Sequence, residues 1–290
     1  MLVSGLGHGG MCTAGPDEKL PPPMPTHRSF GLDLAGYTAG GSALAEVLHA
    51  DGHGEYQARV YRQHPFATTA QGRDHLTSVV EDERDALARL LRLGRVLVDI
   101  PIDLQGLPSP PKPVFVWQLT ARAVDFAYGG LRPLADRIGA PVARFLNLLA
   151  GLDRDDHLRE TYPAGSFSCM EQSWKYKRQT IEWDGDRWVG GSLAEIARSL
   201  RLVAAAPIEL TLTDDDVDAL VCALTGAVPP NAVLQGEDLN ADMRTRLAAK
   251  LRHADVGHIQ NLRAPDNYCL LRCLPEVDTH VQLCDWPPPE

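Results

Sequence analysis

Carboxylates stand within or beside apolar stretches at four places along this sequence of 290 residues. A buried carboxylate is costly unless it is paired with a cation or binds a metal ion. Carboxylates that cluster also repel one another, and a divalent cation placed among them removes that repulsion. Oxygen ligands without histidine or cysteine suit Mg²⁺ or Mn²⁺, and two such ions can hold the attacking water and the leaving oxygen of a phosphodiester. The acids are Asp33, Asp99, Glu160, Asp215 and Asp218.

The elements predicted around these acids place them at strand ends and on a helix face. Strands are predicted near residues 29–36, 42–49, 56–64, 95–101 and 158–162, the first three as an antiparallel meander. Helical periodicity over residues 68–94 predicts a crossover helix, which makes the fourth strand a parallel neighbour. In a helix predicted over Thr213–Val228, Asp215 and Asp218 are three residues apart and share a face. The order β-β-β-α-β-α-β-α predicts an α/β fold, a ribonuclease H-like mixed sheet with a helical insertion.

One domain is predicted to account for most of the chain. Residues 1–28 are rich in proline and glycine, so they are predicted to be a disordered leader that contributes nothing to the core. Residues 29–228 form the ribonuclease H-like domain, which includes the helical insertion at residues 105–155. Residues 229–290 are predicted to be a C-terminal extension packed on the same domain, ending in a tail at residues 287–289.

Basic residues in the insertion and after it are candidate substrate contacts. Ligands of open α/β sheets bind outside the carboxyl ends of the strands, so the insertion is expected beside the acids. Arg122 lies in this insertion, and an ion pair is the competing interpretation of it. Lys175 and Lys177 belong to a basic-aromatic segment, residues 173–178, where a phosphate contact and a solvated helix start both fit the sequence.

Charge and cysteine content argue against several functions. The net charge of −10 argues against broad non-specific binding of nucleic acid, although it leaves room for a local basic groove. No apolar run reaches the roughly 18 residues that cross a bilayer, and no secretory signal is visible, so a cytoplasmic protein without membrane contact is predicted. A zinc site of Cys269, Cys273, His280 and Cys284 is conceivable, but buried thiols are the favoured interpretation. The run at residues 81–83 is interpreted as a solvated helix face.

Four motifs, taken together, resemble a known family. They are Gly31-Leu32-Asp33-Leu34-Ala35-Gly36, Val98-Asp99-Ile100-Pro101-Ile102, Glu160-Thr161-Tyr162-Pro163-Ala164 and Asp218-Ala219-Leu220-Val221-Cys222-Ala223-Leu224. They look like the motifs of the predicted ribonuclease H-like nucleases called domain-of-unknown-function family 429, and Tyr176-Lys177 looks like a Tyr-Lys pair of that family. The resemblance covers residues 29–228 and implies a nuclease with Asp33, Asp99, Glu160, Asp215 and Asp218 as candidate catalytic residues.

The last motif is also similar to one in RuvC-type Holliday-junction resolvases, where a pair of acids lies on the final helix. Here the pair is Asp215 and Asp218. The likeness implies that these two residues, Asp33 and Asp99 are ligands of Mg²⁺ or Mn²⁺, with Asp33, Asp99 and Asp218 bounding the metal site. Asp99 stands where RuvC-type proteins have a glutamate, so this ligand has a shorter reach.

Two other functions are compatible with the same residues. In the first, the protein is non-catalytic or binds a small ligand, and Asp33 and Asp99 form ion pairs with basic groups such as Lys175, Lys177 or Arg122. The acidic net charge favours this alternative, whereas the buried acids favour a nuclease. The second is an actin-like kinase, which needs glycine-rich phosphate loops in both halves of a duplicated domain. The sequence contains one recognisable half and does not specify an oligomeric state.

Overall fold

A seven-stranded sheet with parallel and antiparallel strands forms the centre of the structure. The computed structural model describes residues 26–37, 40–50, 54–102, 122–129, 139–152, 157–172, 175–206, 209–251, 264–273 and 277–290. The strands are β1 (Thr26–Asp33), β2 (Ala43–Ala50), β3 (Tyr56–Arg62), β4 (Arg95–Val98), β5 (Leu158–Glu160), β6 (Thr180–Trp183), β7 (Trp188–Val189), β8 (Leu202–Ala204), β9 (Thr211–Thr213), β10 (Val233–Gln235), β11 (Cys269–Leu271) and β12 (Thr279–Asp285). The helices are α1 (Arg73–Leu93), α2 (Ala123–Tyr128), α3 (Gly139–Leu149), α4 (Pro163–Cys169), α5 (Gly191–Ser199), α6 (Asp214–Ala227) and α7 (Gly236–Leu251).

The order of strands in the central sheet is β5-β4-β1-β2-β3-β12-β8. The first three strands of the chain pair antiparallel, which confirms the predicted meander. After α1 the chain crosses over to β4, which lies parallel to β1, and β5 lies parallel to β4. The α/β class and the crossover are therefore confirmed. Two smaller sheets, β10-β11 and β7-β6-β9, lie outside the central one.

Helices cover both faces of β1. Successive side chains of a strand point to opposite sides, so alternate residues of β1 pack against different helices. Phe30 and Leu32 pack in an apolar cluster with residues of α1 and α3, among them Leu87 and Phe145. The intervening positions of β1 face α6, whose apolar residues pack against β2 and β3 as well. The strand is therefore buried on both sides, as its apolar sequence predicts.

The first strand begins earlier than predicted. Residues 26–28 pair with β2 as part of β1, and the Arg28 side chain forms an ion pair with buried Glu46. This part of the predicted leader thus belongs to the sheet, whereas residues 1–25 lie outside the described ranges. In the predicted insertion at residues 105–155, the described residues include α2 and α3, and Gly129 follows α2 with φ of +78°. The rest of that insertion is largely outside the described ranges.

The C-terminal residues form a strand of the central sheet, whereas the sequence predicted an extension packed on the domain. Strand β12 lies between β3 and β8 and is parallel to both. Hydrogen bonds also fix the predicted tail to the domain. Arg28 donates one of 2.7 Å to the Pro289 carbonyl, and Arg89 donates one of 3.1 Å to the Pro288 carbonyl. Apolar residues on the strand, such as Val281, give β12 a buried side.

Glu83 corrects the interpretation of residues 81–83 as a solvated face. Its side chain is fully buried and forms an ion pair with Arg144 of α3, whereas Glu81 and Asp82 are exposed. Among the described histidines, cysteines and acids, the metal-binding geometry is met by one group of three acids, so Cys269, Cys273, His280 and Cys284 do not form such a group. None of the helices in the described ranges combines the length and apolarity needed to span a bilayer.

Candidate metal centre

The carboxyl ends of two neighbouring parallel strands place Asp33 and Asp99 side by side. Asp33 is the last residue of β1, and Asp99 directly follows β4. The register aligns Leu32 with Val98, and the Asp99 amide donates a hydrogen bond of 3.1 Å to the Leu32 carbonyl. Binding sites in open α/β sheets form at this edge.

Helix α6 brings Asp218 to the same place because it packs directly on the backbone of β1. A Cβ atom added at Gly31 would lie 1.9 Å from the Ala219 carbonyl oxygen, and one at Gly226 would lie 2.0 Å from Ser29 Oγ. Such distances are far below van der Waals contact, so the two glycines permit the close approach of helix and strand. Any larger residue at either position would push α6, and Asp218 with it, away from β1.

Two acids near the start of α6, Asp216 and Asp218, have different roles. Thr213 caps the helix and accepts a hydrogen bond from the Asp216 amide, while the Asp216 carboxylate accepts from the Thr213 amide. Asp216 also forms an ion pair with Arg62. This arrangement is a capping box, so Asp216 fixes the start of the helix. Asp218 lies half a turn further on and is fully buried.

Three of the five predicted acids converge. One carboxylate oxygen from each of Asp33, Asp99 and Asp218 lies within 4.8 Å of the others. The three side chains line a cavity of about 480 Å³. Asp215 is not part of this group, and its Oδ2 atom lies near Gly41, where an added Cβ would be 3.2 Å away.

The electrostatics of the group favour a bound cation. Burial raises the pKa of Asp33 well above its usual range, and the charges of Asp99 and Asp218 add to this rise. Burial and the Asp218 charge raise the pKa of Asp99 to about 8. Within the part of the chain that the structure describes, no hydrogen-bond donor contacts either carboxylate. These oxygen atoms could hold a metal ion, and its identity as Mg²⁺ or Mn²⁺ stays a prediction from the sequence.

Tyr176 and Lys177 hold the third acid. The Tyr176 hydroxyl donates a hydrogen bond of 2.8 Å to Asp218 Oδ1, and Lys177 Nζ forms an ion pair with Asp218 Oδ2. The Tyr176 ring is buried edge-on against Phe167, with the ring centroids 5.0 Å apart. Lys177 was predicted to bind substrate, and it lines the cavity with 53% of its side chain exposed. Lys175 is exposed and is not among the residues that line this cavity.

Glu160 lines the same cavity from the neighbouring strand β5, in a different arrangement. Its carboxylate accepts hydrogen bonds of 2.8 Å from Arg122 and 3.2 Å from the Ile102 amide. Arg122 also pairs at 2.7 Å with Asp125, the third residue of α2. Glu160 and Arg122, predicted to be a catalytic residue and a substrate contact, are thus partners of each other at the edge of the site.

Sequence reasoning missed three residues of the cavity wall. Asp125 could have been found, because an acid at the third position of a helix commonly accepts a hydrogen bond from the backbone amide of the residue that precedes the helix. Tyr162 lies within one of the quoted motifs and lines the cavity, but no role was assigned to it. Tyr268 comes from the distant strand region before β11 and stacks 5.9 Å from the Arg122 guanidinium, a contact without any local signal.

Comparison of the chain with protein-family models, with curated proteins and with solved structures found no significant match in any of the three. The chemistry of the centre is therefore inferred from its geometry. Three carboxylates meet at a strand edge, a helix supplies one of them, and an ammonium group lies beside them.

Proposed function

We propose that the protein is a divalent-metal-dependent phosphodiester hydrolase that acts on nucleic acid. The observation that carries this proposal is the convergence of Asp33, Asp99 and Asp218 at the carboxyl ends of β1 and β4. The strand order β5-β4-β1-β2-β3, with the first three antiparallel, supports a ribonuclease H-like fold. The motif resemblance to the predicted nucleases of family 429 agrees with both parts of the proposal.

The residues divide the work according to their contacts. Asp33, Asp99 and Asp218 would hold Mg²⁺ or Mn²⁺, which when bound acts as a Lewis acid on the phosphodiester and lowers the pKa of water. Tyr176 fixes the orientation of the Asp218 carboxylate through its hydrogen bond. Lys177 is half exposed at the cavity and can contact a phosphate oxygen of the substrate.

A second cavity supports a substrate that extends beyond the centre. It has a volume of about 340 Å³ and shares Gly129, Tyr162 and Ala164 with the first cavity. Arg246 and Lys250 of α7 line its far side. A chain of phosphates could therefore pass from the acids over Tyr162 to two cationic side chains, of which Arg246 is paired with Asp242.

The direct test is cleavage of labelled single-stranded DNA, duplex DNA and single-stranded RNA with Mg²⁺, with Mn²⁺ and with a chelator. The parent should cleave at least one of them only when metal is present. Asp99→Asn should lower the rate at least about 100-fold, because even changes in the shell around metal ligands cost 10–100-fold. Glu81→Gln, which removes an exposed acid of α1, is the matched control and should retain the parent rate. Metal-independent cleavage, or equal rates for the parent and Asp99→Asn, would contradict the proposal.

A second candidate function is binding of a small ligand without catalysis. The ion pairs Lys177–Asp218 and Arg122–Glu160 favour it, because they already neutralise part of the acidic charge. In that case a nucleotide or another small phosphoester would bind in calorimetry and be recovered intact after prolonged incubation with Mg²⁺ or Mn²⁺. Turnover of any phosphodiester that Asp99→Asn abolishes would exclude it.

A further inference from the structure

We infer that Lys177 takes the place of a second metal ion, so that the acidic centre binds one divalent cation. The inference rests on the proposed metal-dependent function and specifies how many ions that function uses. It also gives Lys177 a role in the centre itself, beyond a contact to substrate phosphate.

The contacts of Asp218 are the first argument. Its Oδ1 atom accepts a hydrogen bond from the Tyr176 hydroxyl and its Oδ2 atom contacts Lys177 Nζ, so each oxygen already has a partner. A carboxylate that bridges two ions through both of its oxygens needs each oxygen free on the side of one ion. Here the side of Asp218 that faces Lys177 is filled by the ammonium group.

The position of the ammonium relative to the other acids is the second argument. Lys177 interacts electrostatically with Asp33, with Asp99 and with Asp215, as well as with Asp218. Lys177 Nζ contacts Asp218, and its side chain lines the same cavity as Asp33 and Asp99, so it lies beside the carboxylates that a second ion would need. Asp215 also interacts electrostatically with Lys177 but lies outside the converging group.

Charge balance is the third argument. The three converging carboxylates and the Lys177 ammonium carry a formal charge of −2, which one divalent cation neutralises. Two divalent cations beside Lys177 would instead leave a formal charge of +2. The other charged groups that line the cavity, Glu160, Asp125 and Arg122, together carry −1 and therefore do not offset the charge of two ions.

The test counts Mn²⁺ ions bound to the full chain by electron paramagnetic resonance and calorimetry. The parent should bind one ion at this centre. Lys177→Met should bind a second ion, or bind the first at least about tenfold more tightly, because a charge of +1 near the ligands opposes a cation. Lys175→Met, which removes an exposed lysine two positions away, should bind as the parent does. Two ions in the parent, or Lys177→Met with unchanged number and affinity, would overturn the inference.

Two further measurements separate the possible failures. Lys177→Arg keeps the positive charge, so it should bind one ion with the affinity of the parent; behaviour like that of Lys177→Met would overturn the inference. One bound Mn²⁺ without hydrolysis of any phosphodiester supports the inference and contradicts the proposed function. No bound Mn²⁺ in the folded parent overturns both, and circular dichroism establishes that each variant is folded.

Discussion

The cavity of about 480 Å³ is lined by two groups of acids, called its two walls, in opposite electrostatic states. On one wall stand Asp33, Asp99 and Asp218, of which Asp218 contacts the half-exposed Lys177. On the other wall Glu160 and Asp125 share Arg122, whose side chain is 13% exposed and which makes hydrogen bonds to both acids. On the first wall the carboxylates have more hydrogen-bond acceptors than there are donors beside them. On the second wall most carboxylate oxygens accept a hydrogen bond.

The difference separates acids that can bind a ligand from acids that stabilise the fold. A guanidinium group offers five N–H donors in a fixed plane, and here it joins α2 to β5 through two carboxylates. An under-compensated carboxylate costs folding free energy until a cation arrives. Mutations on the two walls should therefore change stability in opposite directions.

The largest effect is expected on the satisfied wall. Arg122→Met leaves Glu160 and Asp125 buried without their shared partner, so the free energy of unfolding should fall by about 3–5 kcal/mol. Arg187→Met is the matched control, because Arg187 pairs with Asp184 at an exposed turn, and it should cost less than about 1 kcal/mol. Denaturant unfolding of both variants measures the difference. Similar small losses would show that the two walls do not differ as described.

On the other wall, removal of a charge should stabilise the metal-free protein. Asp33→Asn relieves repulsion by Asp99 and Asp218, so its free energy of unfolding with chelator present should rise by about 1–2 kcal/mol. The same variant should lose the stabilisation that Mg²⁺ or Mn²⁺ gives the parent. Thermal unfolding with and without metal measures both effects. If Asp33→Asn unfolds the protein instead, Asp33 is a structural partner and the non-catalytic alternative gains support.

The smallest effect concerns pH, again in the metal-free protein. Burial and Asp218 raise the pKa of Asp99 to about 8 in the folded state, so between pH 4 and 8 the folded state binds more protons than the unfolded state. Stability should therefore fall as pH rises through this window, by less than about 1.4 kcal/mol per pH unit from this group. Unfolding of the parent and Asp99→Asn between about pH 5 and about pH 8 isolates the contribution. Parallel pH profiles for the two proteins would contradict it.

The converging acids could be predicted because each stands beside an apolar run. Asp33 and Asp99 end strands that the sequence marks by apolar residues, and Asp218 follows a recognisable helix start at Thr213. Local patterns of this kind also predicted β1 to β4, α1 and α6. The close approach of α6 to β1 depends on Gly31 and Gly226 in two distant segments, and neither glycine indicates its partner.

The pairing of charges could not be predicted with the same success. Arg122 and Glu160 are 38 positions apart, and Glu83 and Arg144 are 61 positions apart. The side chains of such pairs meet only after the sheet has formed. Local patterns therefore placed Glu160 among the candidate catalytic acids and Glu83 on a solvated face, whereas in the structure they pair with Arg122 and Arg144.

The position of β12 in the central sheet has a consequence for how the chain folds. Thr279 of β12 pairs with Tyr56 of β3, 223 positions earlier, and within the described strands β8 joins the sheet through β12 alone. During synthesis on the ribosome, the outer edge of β3 therefore stays open until this C-terminal strand has emerged. Contacts of such long range slow folding, and an open edge invites pairing with other chains. We expect the emergence of β12, which follows that of the three converging acids, to be the step that closes the sheet.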